Sequence, residues 1–475
     1  MSDLIPTNAS TLDQGGSQLD YEDALRSVMS LADFERSTYS PAHSSFHLER
    51  MELLMDELGN PHLEVPAVHI AGTKGKGSTA AMVTSVLAAG GYKVGLFTSP
   101  HIHSAVERIR VGLQPIGGNE FANLVKQVWP AVEYASKEGS YGAITTFEMF
   151  AAMAFVHFRE IGADFQVIEV GLGGRLDATN IVSPEVCVIT SISLDHVATL
   201  GNTVERIAFE KAGIMKNGVP VVLAAQSSEV LSVLRKAASA KKAPVIEVNG
   251  QISYRKGQGD LYGQSFEVDG LRNIYELWMP LLGDHQLENA GAAVAAVETL
   301  ISKGVHLSKE NVIQGIGEVR WPSRMEVLLW DGPVLLVDGA HNPYSVKCLV
   351  QAVRDYFQFR KLYLLFGALI GHSIKGMISE LVDLSPVVLA VSSRHPRSES
   401  SSIVSHEVLR SGLSVVYQSE NVGEGTRRAL EMAGPRDLVL CTGSLSVAAE
   451  ATEEIKGIKA ERYPYIKSPG CKTGT

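Results

Sequence analysis

The 475-residue chain is 45% hydrophobic and 20% charged and carries a formal net charge of −10. Its length exceeds one ordinary core and implies two domains of roughly 150 to 300 residues each. The acidic balance argues against non-specific nucleic-acid binding, so anionic ligands must meet local positive charge.

The cysteines Cys187, Cys348, Cys441 and Cys471 are widely spaced and form no CxxC pair, which argues against a disulfide framework. Met1 to Asp20 contain no basic residue and no apolar run, so neither a secretory signal nor a membrane span is expected there, and the cytoplasm is the expected compartment. Residues 1–20 read as a disordered tail, followed by a helical region from Tyr21 to about Leu58.

Strand and helix patterns then alternate. Buried strands are expected at Ala67–Ala71, Lys93–Phe97, Gln166–Val170, Val186–Ile192, Val219–Ala224 and Ala243–Val248. This pattern predicts an α/β fold, a mainly parallel sheet with helices on both faces. Residues 249–279 alternate loosely and predict a small antiparallel excursion, after which His285–Ile301 returns to a helix. The proline of Arg320-Trp-Pro-Ser-Arg324 interrupts the pattern, and the domain boundary is placed there. The two expected domains are thus residues 21–322, a P-loop ATPase domain, and residues 323–475, a smaller Rossmann-like α/β domain. The second contains the apolar runs MEVLLW, VLLVDG, KLYLLFG, PVVLAVSS, LSVVYQ and DLVLCTGS but no GxGxxG motif after them.

The segment HIAGTKGKGST at 69–79 carries the clearest chemistry. A short apolar strand runs into a turn with Gly72, Gly75 and Gly77, then into a helix expected at Ala80–Ala89. Glycines permit positive φ and close approach, and backbone N–H groups at a helix N-terminus attract phosphate. Thr73, Lys74, Lys76 and Ser78 complete the cradle. In the usual P-loop the lysine is followed directly by Ser or Thr, whereas here Gly77 separates Lys76 from Ser78. The plainer reading is a glycine-rich surface turn.

Three other strand ends carry hard ligand groups: Ser99 in TSPH, Glu169 in IEVGLGG, and His196 in SLDH. Beyond the carboxyl ends of an open α/β sheet such loops can converge on one ligand. Taken singly, Ser99 could be a turn residue and His196 a satisfied core histidine. Glu169 is harder to explain that way, because a carboxylate in an apolar strand end is costly unless paired or metal-bound.

GTKGKGS at 72–78, TSPH at 98–101, TFE at 146–148, IEVGLGGRLDATN at 168–180, SLDH at 193–196, GDHQLENA at 283–290, WPSRME at 321–326 and DGAHNP at 338–343 together resemble the folylpolyglutamate synthase and dihydrofolate synthase family, within the wider group of Mur ligases. The resemblance spans roughly residues 21–455. It implies an ATP-dependent amide ligase that joins L-glutamate to folates, to dihydropteroate, or to both, with ATP and two Mg²⁺ as cofactors. It further implies that Gly72 to Ser78 bind ATP with Lys76 reaching the terminal phosphates, and that Ser99, Glu169 and His196 hold magnesium. Lys211 occupies the place of the family's carbamylated lysine, although a lysine on the expected helix Thr203–Met215 could equally be a solvated charge. Asn289, Arg324, Asp338 and His341 match the positions for nucleotide recognition. Thr145, Phe147 and Ala178 match positions for the pterin or folate, and Phe147 could equally be core. FGALIGHSIKGM departs from the family's Lys-Asp pair at His372-Ser373, whereas HPRS at 395–398 matches. The implied partners are small molecules only, with no nucleic acid and no membrane, and nothing demands more than a monomer. The rival readings are a Mur-type amino-acid ligase and, from another class, a P-loop regulatory ATPase, although no NKxD guanine-reading motif is present.

Overall fold

The computed structural model describes residues 19–35, 46–461 and 463. The expected tail therefore lies almost wholly outside the described residues, as do Cys471 and part of the helical region expected at 21–58. Two helices stand within that region, α1 (Tyr21–Met29) and α2 (Leu48–Glu57).

The first sheet has eight strands: β1 (Ala67–Ala71), β2 (Val94–Phe97), β3 (Ile109–Val111), β4 (Gln114–Pro115), β5 (Phe165–Glu169), β6 (Pro184–Ile189), β7 (Val221–Leu223) and β8 (Val245–Glu247). Their order is β4-β3-β2-β5-β1-β6-β7-β8. All pairings are parallel except those that β3 makes with β2 and β4. The six strands expected from the sequence are all present, and β3 and β4 add an antiparallel edge that the sequence reading lacked.

Helices cover both faces, as parallel sheets require. On one face α3 (Lys76–Ala89) packs with the later helices α9 (Asp284–Ser302) and α10 (Lys309–Glu318). On the other, α1 and α2 pack with α4 (Gly118–Glu138) and α5 (Thr146–Glu160). The short α6 (Val197–Leu200), α7 (Val204–Ala212) and α8 (Ser228–Ala240) complete this region. The expected excursion is a three-stranded antiparallel sheet of β9 (Ser253–Gly259), β10 (Gln264–Asp269) and β11 (Ile274–Met279).

The second sheet has six strands: β12 (Glu326–Leu329), β13 (Val334–Val337), β14 (Leu362–Phe366), β15 (Val387–Val391), β16 (Ser414–Ser419) and β17 (Leu438–Thr442). Only β12 runs antiparallel, against β13. Around it lie α11 (Pro343–Tyr356), α12 (Ile374–Leu381), α13 (Ser401–Arg410), α14 (Val422–Met432) and α15 (Leu445–Lys456). Ser323 and Met325, with φ of 57° and 49°, turn the chain from α10 into this sheet. No helix among the described residues is long and apolar enough to cross a membrane.

β1 lies between β5 and β6, so the chain leaves it in opposite directions across the sheet. Crevices at such a switch point, outside the strand carboxyl ends, are where open α/β sheets bind ligands. Gly72, Glu169, Ser99 and Ser191 all lie at or just past these ends.

Candidate active site

Backbone geometry shows why the loop needs its glycines. Gly72 has φ +150°, and a Cβ there would lie 1.7 Å from Thr190 Oγ1. Gly75, with φ +88°, is the N-cap of α3, and its Cβ would lie 2.1 Å from Asn289 Oδ1. The loop is therefore wedged between the end of β6 and the first turns of α9. Thr73 and Lys74 N–H groups donate to the Ser191 carbonyl at 2.9 and 3.3 Å, which pins the loop to its neighbouring strand.

Helix α3 begins at Lys76, four residues before the expected start, so Gly77 and Ser78 belong to its first turn. That turn directs free N–H groups at the site. A Cβ on Gly77 would meet Trp321 Nε1 at 3.1 Å and Glu169 Oε2 at 3.4 Å. The residue that separates Lys76 from Ser78 thus lets Glu169 and the WPSR segment approach the loop.

Glu169 ends β5, is 5% exposed, and accepts the Ser99 N–H at 3.2 Å. Lys76 Nζ lies 3.9 Å from its Oε1. Burial pushes the Glu169 carboxyl above its ordinary value despite the nearby positive charges of Lys76 and Arg324. The structure therefore joins Lys76, Ser99 and Glu169. His196, in left-handed conformation at φ 47°, caps α6, and its side chain is 59% exposed with Nε2 4.0 Å from Asp195 Oδ1. Among the described residues no three His, Cys, Asp or Glu side chains form a ready metal cage.

Lys211 on α7 is only 4% exposed, and its Nζ donates to the Gly72 carbonyl at 2.8 Å. It is not the solvated helix charge that the sequence alone allowed. Burial, with Lys76 and Lys74 nearby, pushes its amine down to about 7. Gly174, at φ +159°, permits this packing, because a Cβ there would meet Lys211 Cα at 3.1 Å.

Asp195, beside His196 in SLDH, has a role that its sequence does not reveal. It accepts Lys74 Nζ at 2.9 Å. Burial alone would raise its carboxyl, but Lys74 holds it well below the carboxylate range. Lys74 Nζ also reaches His341 Nε2 at 2.7 Å, joining the phosphate loop to the second domain.

The remaining nucleotide candidates gather around that contact. Asn289 Nδ2 donates to Gln286 Oε1 at 3.0 Å while its Oδ1 abuts Gly75. Both Asp338 oxygens accept backbone N–H groups, from Met325 at 2.9 Å and Ala340 at 2.8 Å, which holds the Arg324 and His341 segments together. Arg324 Nη1 donates to the Ser323 carbonyl at 3.0 Å.

The three acceptor-site candidates differ in placement. Thr145 is 6% exposed and works as the N-cap of α5, in a capping box with Glu148, which also pairs with buried Arg50 at 2.7 Å. Its hydroxyl is thus committed to holding the helix start. Phe147 lies half-buried against Phe97, and a Cβ on Gly171 would come within 2.5 Å of its ring, so it borders the loop after Glu169. Ala178 is 8% exposed at the start of a short 3₁₀ turn in the segment after β5. In the second domain the IGHS and HPRS loops are tied together, Ile370 N–H donating to the Arg397 carbonyl at 2.7 Å.

Comparison with known proteins agrees with this geometry. Residues 70–297 match the Mur ligase middle domain, and residues 323–445 match the Mur ligase glutamate ligase domain. The dihydrofolate synthase/folylpolyglutamate synthase of Bacillus subtilis is 37% identical over 412 residues, covering 86% of this chain and 95% of that protein. The folylpolyglutamate synthase of Lacticaseibacillus casei is 35% identical over 312 residues, covering 65% of this chain and 72% of that protein. The solved Mycobacterium tuberculosis folylpolyglutamate synthase complexed with ADP aligns with a TM-score of 0.84 at 30% identity, over 93% of this chain and 100% of that one. The glycine-wedged phosphate loop, the buried lysine beneath it and these relatives together identify the chain as a member of the folylpolyglutamate synthase and dihydrofolate synthase family of Mur ligases.

Proposed function

We propose that the protein is an ATP-dependent ligase that joins L-glutamate to dihydropteroate, to tetrahydrofolates, or to both, by way of an acyl phosphate. A carboxylate is a poor acyl donor, so the acceptor carboxylate attacks the γ-phosphorus of ATP, the bond to ADP breaks, and an acyl phosphate forms. The glutamate amine then attacks the acyl carbon and phosphate leaves, giving the amide. No protein nucleophile is needed.

The observation that carries this reading is the convergence of Lys74, Lys76 and Lys211 on one glycine-wedged helix start at the sheet's switch point. The α3 N–H groups and Lys76 neutralise and orient the terminal phosphates. Lys74 and His341 draw the second domain over them, which excludes water that would hydrolyse the acyl phosphate. Arg324, with its planar donors, suits a phosphate oxygen, and Asp338 the ribose hydroxyls. Phe147 and Ala178 border the space for the pterin.

The donor set fits magnesium. Glu169 offers a desolvated carboxylate oxygen with Ser99 beside it, and the exposed His196 imidazole would complete the set, which suits an ion that keeps several waters and takes substrate phosphates as its other ligands. Two bound Mg²⁺ would neutralise charge on the transferred phosphoryl group. Lys211, its amine pushed down to about 7, is neutral in about half of molecules at that pH and then has the free lone pair that reaction with CO₂ requires, and its carbamate would supply an anionic ligand. Assaying dihydropteroate and tetrahydrofolate side by side with ATP and labelled glutamate tests the reading: amide product with either acceptor supports it and assigns the acceptor, whereas none with both rejects it.

A further inference from the structure

Helix α9 runs beside the phosphate loop, and adjacent residues of its early turns meet different neighbours. Asn289 abuts Gly75. Glu288, about 100° round the helix, meets a separate group of residues that none of the steps above uses. The Ala225 N–H, just past β7, lies near its carboxyl. On the second domain, Tyr344 and Cys348 of α11 lie close enough to feel its charge. The Tyr344 hydroxyl lies near the side chain of Ser191, whose carbonyl holds the loop's Thr73 and Lys74 N–H groups. Cys348 also lies within range of Asp338, the residue suited to the ribose. Glu288 thus lies between the two domains, with the phosphate loop's anchor on one side and Asp338's surroundings on the other.

Its Oε1 is buried and has no hydrogen-bond partner among the described residues. A buried carboxyl oxygen without a partner is costly, and such an atom calls for an explanation. A donor on a bound ligand supplies one. Burial pushes the Glu288 carboxyl up to about 7, so above that pH its oxygen is an acceptor and the ligand edge facing it must offer N–H or O–H.

We propose that Glu288 reads the nucleotide base: its Oε1 accepts a hydrogen bond from the exocyclic amino group of adenine, selecting 6-amino over 6-oxo purines. This rests on the ATP-ligase reading. Adenine offers a donor at that edge, whereas hypoxanthine turns a carbonyl lone pair toward the carboxyl oxygen. A site built around a hydrogen bond rejects an analogue that leaves its buried polar group unpaired.

Calorimetric binding of ADP and IDP to the full chain at about pH 8.5, where Glu288 is ionised, as wild type, Glu288→Gln and Glu288→Leu, tests the proposal. Wild type is expected to prefer ADP by about tenfold or more. Glu288→Gln can turn its amide N–H₂ toward the 6-oxo group, so its preference narrows to within about threefold. Glu288→Leu loses ADP affinity without losing IDP affinity. In turnover, the variants raise KM for ATP while kcat at saturation and KM for glutamate hold, a pattern that general loosening of the fold would not produce. Equal binding of ADP and IDP by wild type, or a preference unchanged in Glu288→Gln, overturns the proposal. Should Glu288→Leu fail to fold, the near-isosteric Glu288→Gln decides alone. Because binding needs neither folate nor glutamate, a wild type that prefers ADP yet forms no amide would reject the ligase reading and leave the base contact standing.

Discussion

Lys74 Nζ donates to His341 Nε2 at 2.7 Å, while His341 Nδ1–H donates to the Gly339 carbonyl at 2.8 Å, so one neutral imidazole links the phosphate loop to the second domain. Lys74, and then burial, hold this histidine well below its ordinary value of 6.5. Protonation would turn the Nε2 acceptor into a donor facing an ammonium. Since the closed-state pKa is depressed, the contact's contribution is fully present above about pH 6.5 and is lost as pH falls below it. Hydrogen exchange at residues 339–342 is expected to quicken between about pH 7 and about pH 5 in wild type, after correction for the intrinsic exchange rate. In His341→Ala it should be fast throughout, and a variant with wild-type protection would contradict the linkage.

Lys211→Ala separates nucleotide binding from ligation. A lysine with its ordinary pKa is under about 0.1% neutral at pH 7, whereas Lys211, at about 7, is neutral in a large share of molecules. Nucleotide affinity is expected to stay within about threefold while ligation falls by about 100-fold or more, with partial rescue by added short carboxylates. Wild-type activity should fall in CO₂-free buffer and return with bicarbonate. Turnover of Lys211→Ala equal to wild type would sink the carbamate.

Glu169→Gln should trade function for stability. Burial raises the folded-state pKa of Glu169 above 4.5, so ionisation of this group works against folding as pH rises through the window above 4.5. The amide removes that penalty and keeps the shape. Thermal unfolding at pH 7 is expected at the wild-type temperature or about 2–4 °C above it, while magnesium-dependent ligation drops by about 100-fold or more. A variant that is clearly less stable would show that the carboxylate is structural, held in place by Lys76 and Ser99.

Gly75→Ala tests the wedge between loop and helix. The left-handed backbone costs an L-residue about 1–2 kcal/mol, and the new methyl would overlap Asn289 Oδ1 at 2.1 Å. Either the loop or Asn289 must move, so nucleotide affinity is expected to fall about tenfold or more by calorimetry. Wild-type affinity would mean that the observed packing of Asn289 on the loop does not matter for binding.

The legible parts of this site were those whose chemistry is local. The glycines of the phosphate loop and the carboxylate closing an apolar strand at Glu169 stand out in sequence because their backbone or burial demands are unusual by themselves. Lys211 did not, since a lysine on an amphipathic helix looks solvated until Gly174 lets α7 settle on the loop. Asp195 was hidden for a similar reason: its importance comes from Lys74, distant in sequence and 2.9 Å away in space. Thr145 drew attention through its motif, yet its hydroxyl is occupied in an N-cap that the Thr-x-x-Glu spacing also encodes. In the fold, long apolar strands and the return to helix at His285 could be read directly. The edge strands β3 and β4 could not, because Ile109–Val111 and Gln114–Pro115 are too short for alternation to register and a proline ordinarily argues against a strand.

The central claim is that the γ-phosphoryl group passes to the acceptor carboxylate before glutamate adds. It is tested most directly by labelling both oxygens of that carboxylate with heavy oxygen and analysing the phosphate released during turnover with ATP and L-glutamate. The account predicts an amide product retaining one labelled oxygen and one labelled oxygen in each phosphate released, in step with ADP. Unlabelled phosphate, or ADP formed without amide, would contradict it.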